Sequence, residues 1–135
     1  MEIAPEDLNA IVEIQVKQAS ALGAAKNAEN KAKMAEFYSD PAKIAAEEVE
    51  AKETFDAADT NKDGLLDLAE WTDFIKKSEA NGVAKGWHSE PTSDEDMKIL
   101  YEAHCRIGKN DAGVSFEVIM GSYEQVFAEV EKRLA

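Results

Sequence analysis

Between residues 59 and 70 the chain reads DTNKDGLLDLAE, which sets Asp59, Asn61, Asp63, Asp67 and Glu70 around a single glycine, Gly64. Four carboxylates this close repel one another, so the arrangement is costly unless a positive charge sits among them. Alternate residues of a tightly curved loop turn their side chains inward, and Asp59, Asn61 and Asp63 can therefore converge from one side. Gly64 supplies a sharp turn where a side chain would be strained. A hard cation suits such a set, and calcium takes six to eight oxygens at about 2.3–2.6 Å in a forgiving geometry.

The flanking segments read as the helices that must hold this loop. SDP at 39–41 resets the chain, with Asp40 as N-cap and Pro41 at the first helical position. A helix is predicted over 41–58, with Ile44, Val49 and Phe55 as its larger apolar residues, running straight into the acidic stretch. Another leaves it near Leu68 and passes through Trp71, Phe74 and Ile75 to about Ala80. NGVAKGWHSEPTS (81–93) is a linker rich in helix breakers, and Ser93 with Asp96 three residues on resembles a capping box. The next helix carries Met97, Leu100, Tyr101 and His104 until IGKNDAG (107–113) breaks it. The last carries Phe116, Ile119, Met120, Tyr123, Val126, Phe127, Val130 and Leu134 at helical spacing. Upstream, residues 5–37 read as one long helical segment. Pro5 opens it, Glu6 and Asp7 favour its positive end, and Leu8, Ile11, Val12, Gln15, Ala19 and Leu22 form a stripe. Beyond Gly23 it is alanine-rich, with only Met34 and Phe37 to bury, and residues 23–33 have few anchors against fraying. No segment reads as a long strand.

The pattern D-x-N-x-D-G-x-x-D-x-x-E, with Phe55 four residues before it, Leu66 inside it and Trp71 and Phe74 after it, resembles an EF-hand of the calmodulin and parvalbumin superfamily. The resemblance covers residues 51–75. It implies a metal ligand set of Asp59, Asn61, Asp63, the Leu65 backbone carbonyl, Asp67 (directly or through water) and a bidentate Glu70, with Mg2+ competing only weakly for the Ca2+. It also implies that Leu66 pairs by a short β-bridge with a counterpart in a second hand. GVSFEVI (113–119) resembles the later half of such a loop. With Val114 as the bridge residue, that loop runs from Ile107 to Val118, lacks the opening aspartate and closing acid, and sets Lys109 where a ligand belongs. A register with one or two inserted residues is equally open. In each, only Asn110 and Asp111 could face an ion, and the second hand is expected to be structural. The expected architecture is thus all-α: an N-terminal helical segment (1–40) and a paired EF-hand domain (41–135), with hands at about 45–80 and 93–130.

Other chemistry finds little support. His104 and Cys105 are adjacent and His88 lies in the linker, but neighbouring helical residues point about 100° apart and no fourth ligand has zinc-site spacing. Phosphate-loop, nucleophile and HExxH motifs do not occur, so no enzyme is expected. The formal net charge of −13 is spread as seven acids against four bases over 1–40 and twenty-one against eleven over 41–135. Such a surface repels phosphate backbones and anionic lipid, and it favours cations and basic partner segments. A single cysteine, no basic leader and no apolar run of about 18 residues lead us to expect a soluble, cytoplasmic protein without membrane insertion.

Three roles are compatible with calcium binding. The first is a calcium-responsive regulator exposing a groove lined by Phe55, Phe74, Ile75 and the last helix to a basic or amphipathic helix of a partner. Four methionines, two of them (Met1 and Met34) outside the paired hands, favour a dedicated partner over many. The second is a light-chain-like subunit with calcium as a staple, and the third a calcium buffer. Leu8, Ile11, Val12 and Leu22 could lie in the protein's own groove, pair with another copy or hold a partner, so oligomeric state stays open.

Overall fold

Pro5 and Pro41 each stand at the first position of a helix, where the missing N–H costs nothing and the fixed φ is already helical. In the computed structural model, which describes residues 1–135, six helices are joined by short connections. They are α1 (Pro5–Leu22), α2 (Ala24–Tyr38), α3 (Pro41–Ala58), α4 (Leu68–Ala84), α5 (Asp94–Gly108) and α6 (Phe116–Leu134). Two short strands, β1 (Leu65–Leu66) and β2 (Val114–Ser115), pair antiparallel with Leu66 opposite Val114 and Leu65 opposite Ser115. The protein is mainly helical, and no helix is long and apolar enough to cross a membrane.

Side-chain caps set most helix starts. Asp40 accepts from Ala42 N (3.0 Å), Ser93 from Asp96 N (3.2 Å) and Ser115 from Val118 N (3.2 Å). Each satisfies a backbone donor that the first helical turn leaves free.

Three boundaries differ from the sequence expectation. The segment 5–37 is two helices, because Gly23 adopts φ 90°, ψ 165°, outside the helical region. A mid-helix glycine costs roughly 1 kcal/mol against alanine, which makes position 23 the cheapest place to turn. Helix α4 continues past Ala80 to Ala84, and the Trp87 amide then closes onto the Gly82 carbonyl at 3.0 Å. Helix α5 runs on to Gly108, so Ile107 is still helical.

The core gathers Phe55, Ala58, Leu66, Trp71, Phe74, Met97, Leu100, Ala103, Val114 and Val118 with Ile11 and Ile14 of α1. Phe55 meets Phe116 and Phe74 edge-on at centroid distances of 5.5 and 6.1 Å. Helix α1 lies against α5 and α6, so the N-terminal stripe occupies the protein's own helical face. Its buried arc is wider than the stripe read from the sequence. Ile11, Val12 and Ile14 are buried, while Leu8, Gln15, Ala19 and Leu22 are only half-covered. Two flanking helices cover more of a helix than one does, which draws Ile14 inside. Helix α2, by contrast, buries no side chain fully. Its Asn30 exchanges two hydrogen bonds of 3.0 Å with the backbone of His88.

Gly113 fixes how near the two strands come. A Cβ there would sit 2.5 Å from the Leu66 carbonyl oxygen, a backbone atom that cannot swing aside. Gly113→Ala should therefore destabilise the fold by about 1–3 kcal/mol through overpacking, measured as a lower urea midpoint at unchanged slope. An unchanged midpoint would mean that the strands can part freely.

His104 of α5 is buried in the core. Its ring lies 4.8 Å from the Trp71 ring, and its Nδ1–H donates to the Leu100 carbonyl at 2.7 Å. Burial lowers the imidazole pKa from its ordinary 6.5, an effect the Leu100 bond only partly opposes. The unfolded chain then takes up the proton first as pH falls, so this contribution is complete above about pH 6.5 and declines below it. Thermal unfolding at pH 7.5 and 5.5 should show a larger loss for the unaltered chain than for His104→Gln. Equal losses would remove His104 as the cause.

Candidate metal centre

Helix α3 stops where Asp59 leaves the helical region at φ −78°, ψ 77°, its amide still bonded to the Phe55 carbonyl at 2.9 Å. The chain then curls tightly. Lys62 N reaches back to Asp59 O at 3.2 Å, Lys62 itself takes a left-handed φ of 58°, and Gly64 follows at φ 81°. Positive φ at Gly64 is free of the Cβ strain any other residue would meet there. The Lys62 ammonium donates to the Asp56 carbonyl at 2.6 Å, back on α3.

Side-chain oxygens hold this curl from within. Asp59 Oδ2 accepts from Gly64 N at 2.9 Å, Asn61 Oδ1 from Asp63 N at 3.4 Å, and Asp63 Oδ1 from Leu65 N at 3.0 Å. Such Asx bonds stabilise turns wherever they occur and do not in themselves imply a ligand. Asp59 differs from its neighbours. It is only 4% exposed, and its second oxygen, Oδ1, is buried without any partner. A buried acceptor left unmade costs about 1–3 kcal/mol, and more when it is ionised. A cation among the oxygens would satisfy it, so this residue fits a metal site.

The exit from the loop is a reciprocal cap. Asp67 Oδ1 accepts from Glu70 N at 2.9 Å, and Glu70 Oε1 accepts from Asp67 N at 3.1 Å. Glu70 Oε2 turns instead to Thr60, accepting from its amide at 2.9 Å and its hydroxyl at 3.0 Å. Glu70 is thereby buried and ties the first turn of α4 back to the loop's second residue. Asn61, Asp63 and Asp67 are exposed and Leu65 is half-covered. The fold thus forms two hydrogen-bonded groups in the loop, Asp59 with Gly64 and Glu70 with both Thr60 and Asp67. It does not draw three carboxylates to a common point, and no group of three or more His, Cys, Asp or Glu side chains stands close enough to share an ion. Like charges separate, and each carboxylate takes the nearest backbone donor.

Two participants were not singled out from the sequence. Thr60 partners Glu70, and a hydroxyl in a polar loop gives no distinguishing signal. Tyr101 of α5 lies near enough to Asp67 and Glu70 to feel them. Burial first, then its hydrogen bond with Cys105, and then these two carboxylates push its pKa up to about 12. Its place beside the loop follows from packing across some thirty positions of sequence, which no local pattern encodes.

The other loop offers no matching set. With Val114 opposite Leu66, Val118 stands where Glu70 stands in the first loop, and it is buried and apolar. Ile107, seven positions before the bridge as Asp59 is, belongs to α5. Lys109 takes the left-handed turn at φ 53°, while Asn110 Oδ1 accepts from Ala112 N at 2.9 Å. His104 and Cys105 are buried among apolar neighbours, and His88 lies elsewhere, its Nε2 paired with Glu29 of α2. Comparison of the chain with models of known protein families, with curated proteins and with solved structures finds no match.

Proposed function

We propose that residues 59–70 hold one calcium ion, that the two helix–loop–helix units form a paired EF-hand lobe with a structural second hand, and that the protein is a calcium-responsive regulator of a dedicated partner. The observation that carries this reading is the unpartnered, buried Oδ1 of Asp59 at the head of a loop with the full D-x-N-x-D-G-x-x-D-x-x-E spacing. The bridge between Leu66 and Val114 supports the pairing of the two loops.

Calcium, when bound, supplies a dipositive charge that six to eight oxygens can share. The chain's part is to offer those oxygens. Gly64 N–H holds one Asp59 oxygen and so orients the other. Asn61, Asp63 and Asp67 have exposed side chains, and Leu65 has its carbonyl to offer. Glu70 would exchange its Thr60 bonds for the metal, and this ties ligation to the first turn of α4. Trp71 is the next residue, 2% exposed and against His104, so a shift of that turn is felt by α5.

A second reading, calcium as the staple of a permanently attached subunit, draws on one observation. Phe55 and Phe74, expected to line an exposable groove, are 1% and 4% exposed. Only a change in surface on titration separates the two.

Calorimetry should find one tight calcium per chain. Glu70→Gln removes a charge and one clamp oxygen, and it should weaken binding by on the order of tenfold or more. Two comparable sites, or an unchanged isotherm in the variant, would overturn the assignment. Free calcium at about 100 times its dissociation constant should stabilise the fold by about 2.7 kcal/mol, read as a higher melting temperature than in chelator.

Calcium should also shift tryptophan emission, and Trp71→Phe should abolish most of that change. Trp87 is half-covered beneath the Lys33 ammonium, 5.6 Å from its ring, and should respond little. A regulator gains dye-binding apolar surface and affinity for a basic amphipathic peptide in the same titration. An emission change without either gain would leave the staple reading standing and the regulator reading refuted.

A further inference from the structure

The two carboxylate oxygens of Glu70 are held unequally. Oε1 accepts one hydrogen bond, from Asp67 N at 3.1 Å. Oε2 accepts two, from Thr60 N at 2.9 Å and from the Thr60 hydroxyl at 3.0 Å. Each oxygen of an ionised carboxylate has about two lone-pair directions to offer. Oε1 therefore keeps one direction free, and Oε2 is full. Calcium bound at residues 59–70 as proposed above draws on both oxygens of Glu70. Thr60 occupies the second of them.

The two donors of Thr60 are not equivalent. Its amide is shared between Glu70 Oε2 and the Ala58 carbonyl at 3.0 Å, so it keeps an acceptor when the glutamate leaves. Its hydroxyl has a single proton and gives it to the carboxylate, a charge-assisted bond stronger than one between neutral groups. The surroundings of the two partners differ as well. Thr60 is exposed, and a hydroxyl released there finds water at once. Glu70 is 8% exposed, and a carboxylate released without a substitute stays largely out of water at a cost. A cation is such a substitute. The bond is thus kept in the ion-free loop and given up when an ion takes its place.

We propose that Thr60 is a positioning residue that sets the calcium affinity of the loop: its hydroxyl latches Glu70 in the ion-free chain, and calcium must displace it. This inference rests on the calcium reading of residues 59–70. A bond made only in the ion-free state stabilises that state alone, and it lowers the affinity by the same free energy that it adds to the empty fold. The latch therefore raises the calcium concentration at which the loop fills. Removing the hydroxyl should act in two opposite directions, weakening the fold without calcium and tightening the binding of calcium. A hydroxyl that merely supported the loop would, when removed, weaken the fold with and without the ion and add nothing to affinity.

The test uses the full-length chain, with calcium affinity read by calorimetry and melting temperature read in chelator and in saturating calcium. Thr60→Val keeps the shape of the side chain and removes the hydroxyl. It should bind calcium about three to ten times more tightly than the unaltered chain. It should also melt lower in chelator and at the same temperature in saturating calcium. Thr60→Ser retains the hydroxyl and should return both readings to those of the unaltered chain. An affinity of Thr60→Val equal to or below that of the unaltered chain overturns the latch, and the calcium assignment then stands wherever Glu70→Gln still weakens binding. No calcium binding by the unaltered chain overturns both. Should Thr60→Val fail to fold, proton magnetic resonance of the unaltered chain decides. A Thr60 amide signal that moves upfield as calcium is added, its bond to the carboxylate given up, supports the proposal. A signal that keeps its position refutes it.

Discussion

The pairing of Leu66 with Val114 is the constraint on which the rest of the molecule leans. Two residues per strand make a sheet too short to stand alone, yet this one joins the loop between α3 and α4 to the loop between α5 and α6. Both bridge residues are essentially inaccessible, and Gly113 lets the backbones approach more closely than any side chain would allow. From this seam the four helices α3 to α6 diverge, and their inward faces close on the aromatic group of Phe55, Phe74 and Phe116. The seam also decides where equivalent positions of the two loops fall. It sets buried Val118 opposite in role to Glu70, so one loop ends in a carboxylate and the other in a hydrocarbon.

Helix α5 is the element that links the parts. One side carries Tyr101 and His104 toward Trp71 and the exit of the acidic loop, and another carries Asp96 and Arg106 toward α1. The Trp71 ring lies 4.8 Å from that of His104 and 6.4 Å from that of Tyr101, so the first turn of α4 rests directly on α5 in a densely packed interior. The unpartnered indole N–H of Trp71 and the unpartnered Oδ1 of Asp59 both lie in this region. Unmade hydrogen bonds of buried groups are sparse in folded proteins, and these two mark the part of the structure with most to gain from rearrangement.

Charge shapes the fold in two ways. At −13 the chain repels itself, and it relieves this locally by giving carboxylates the nearest donor: backbone amides for Asp59, Asp63, Asp67 and Glu70, and cations for Asp7 and Asp96. On the surface, Lys85 gathers Glu47 and Glu50 of α3, and Lys52 lies over the rings of Phe55 and Phe116. Exposed pairs of this kind contribute little singly. The buried carboxylates matter more, because removing their partners leaves a charge without water.

What the sequence determined by itself was local. Pro41 after Asp40, Ser93 before Asp96 and the D-x-N-x-D-G curl each act within a few residues, and the helix starts and loop bonds appear where those residues call for them. Gly23 holds a local signal of the same kind, its cost within a helix, yet 5–37 reads as one helical segment and the break between α1 and α2 emerges only in the structure. The tertiary structure alone decided what covers the stripe of α1. An amphipathic helix states that one face must be buried and leaves the covering surface open, and here that choice joined Asp7 to Arg106 across ninety-nine positions. It also decided that Ile14 goes inside, that Glu70 turns to Thr60, and that Tyr101 stands beside the acidic loop. Those outcomes depend on which surfaces meet, and a surface is made of residues that lie far apart in the chain.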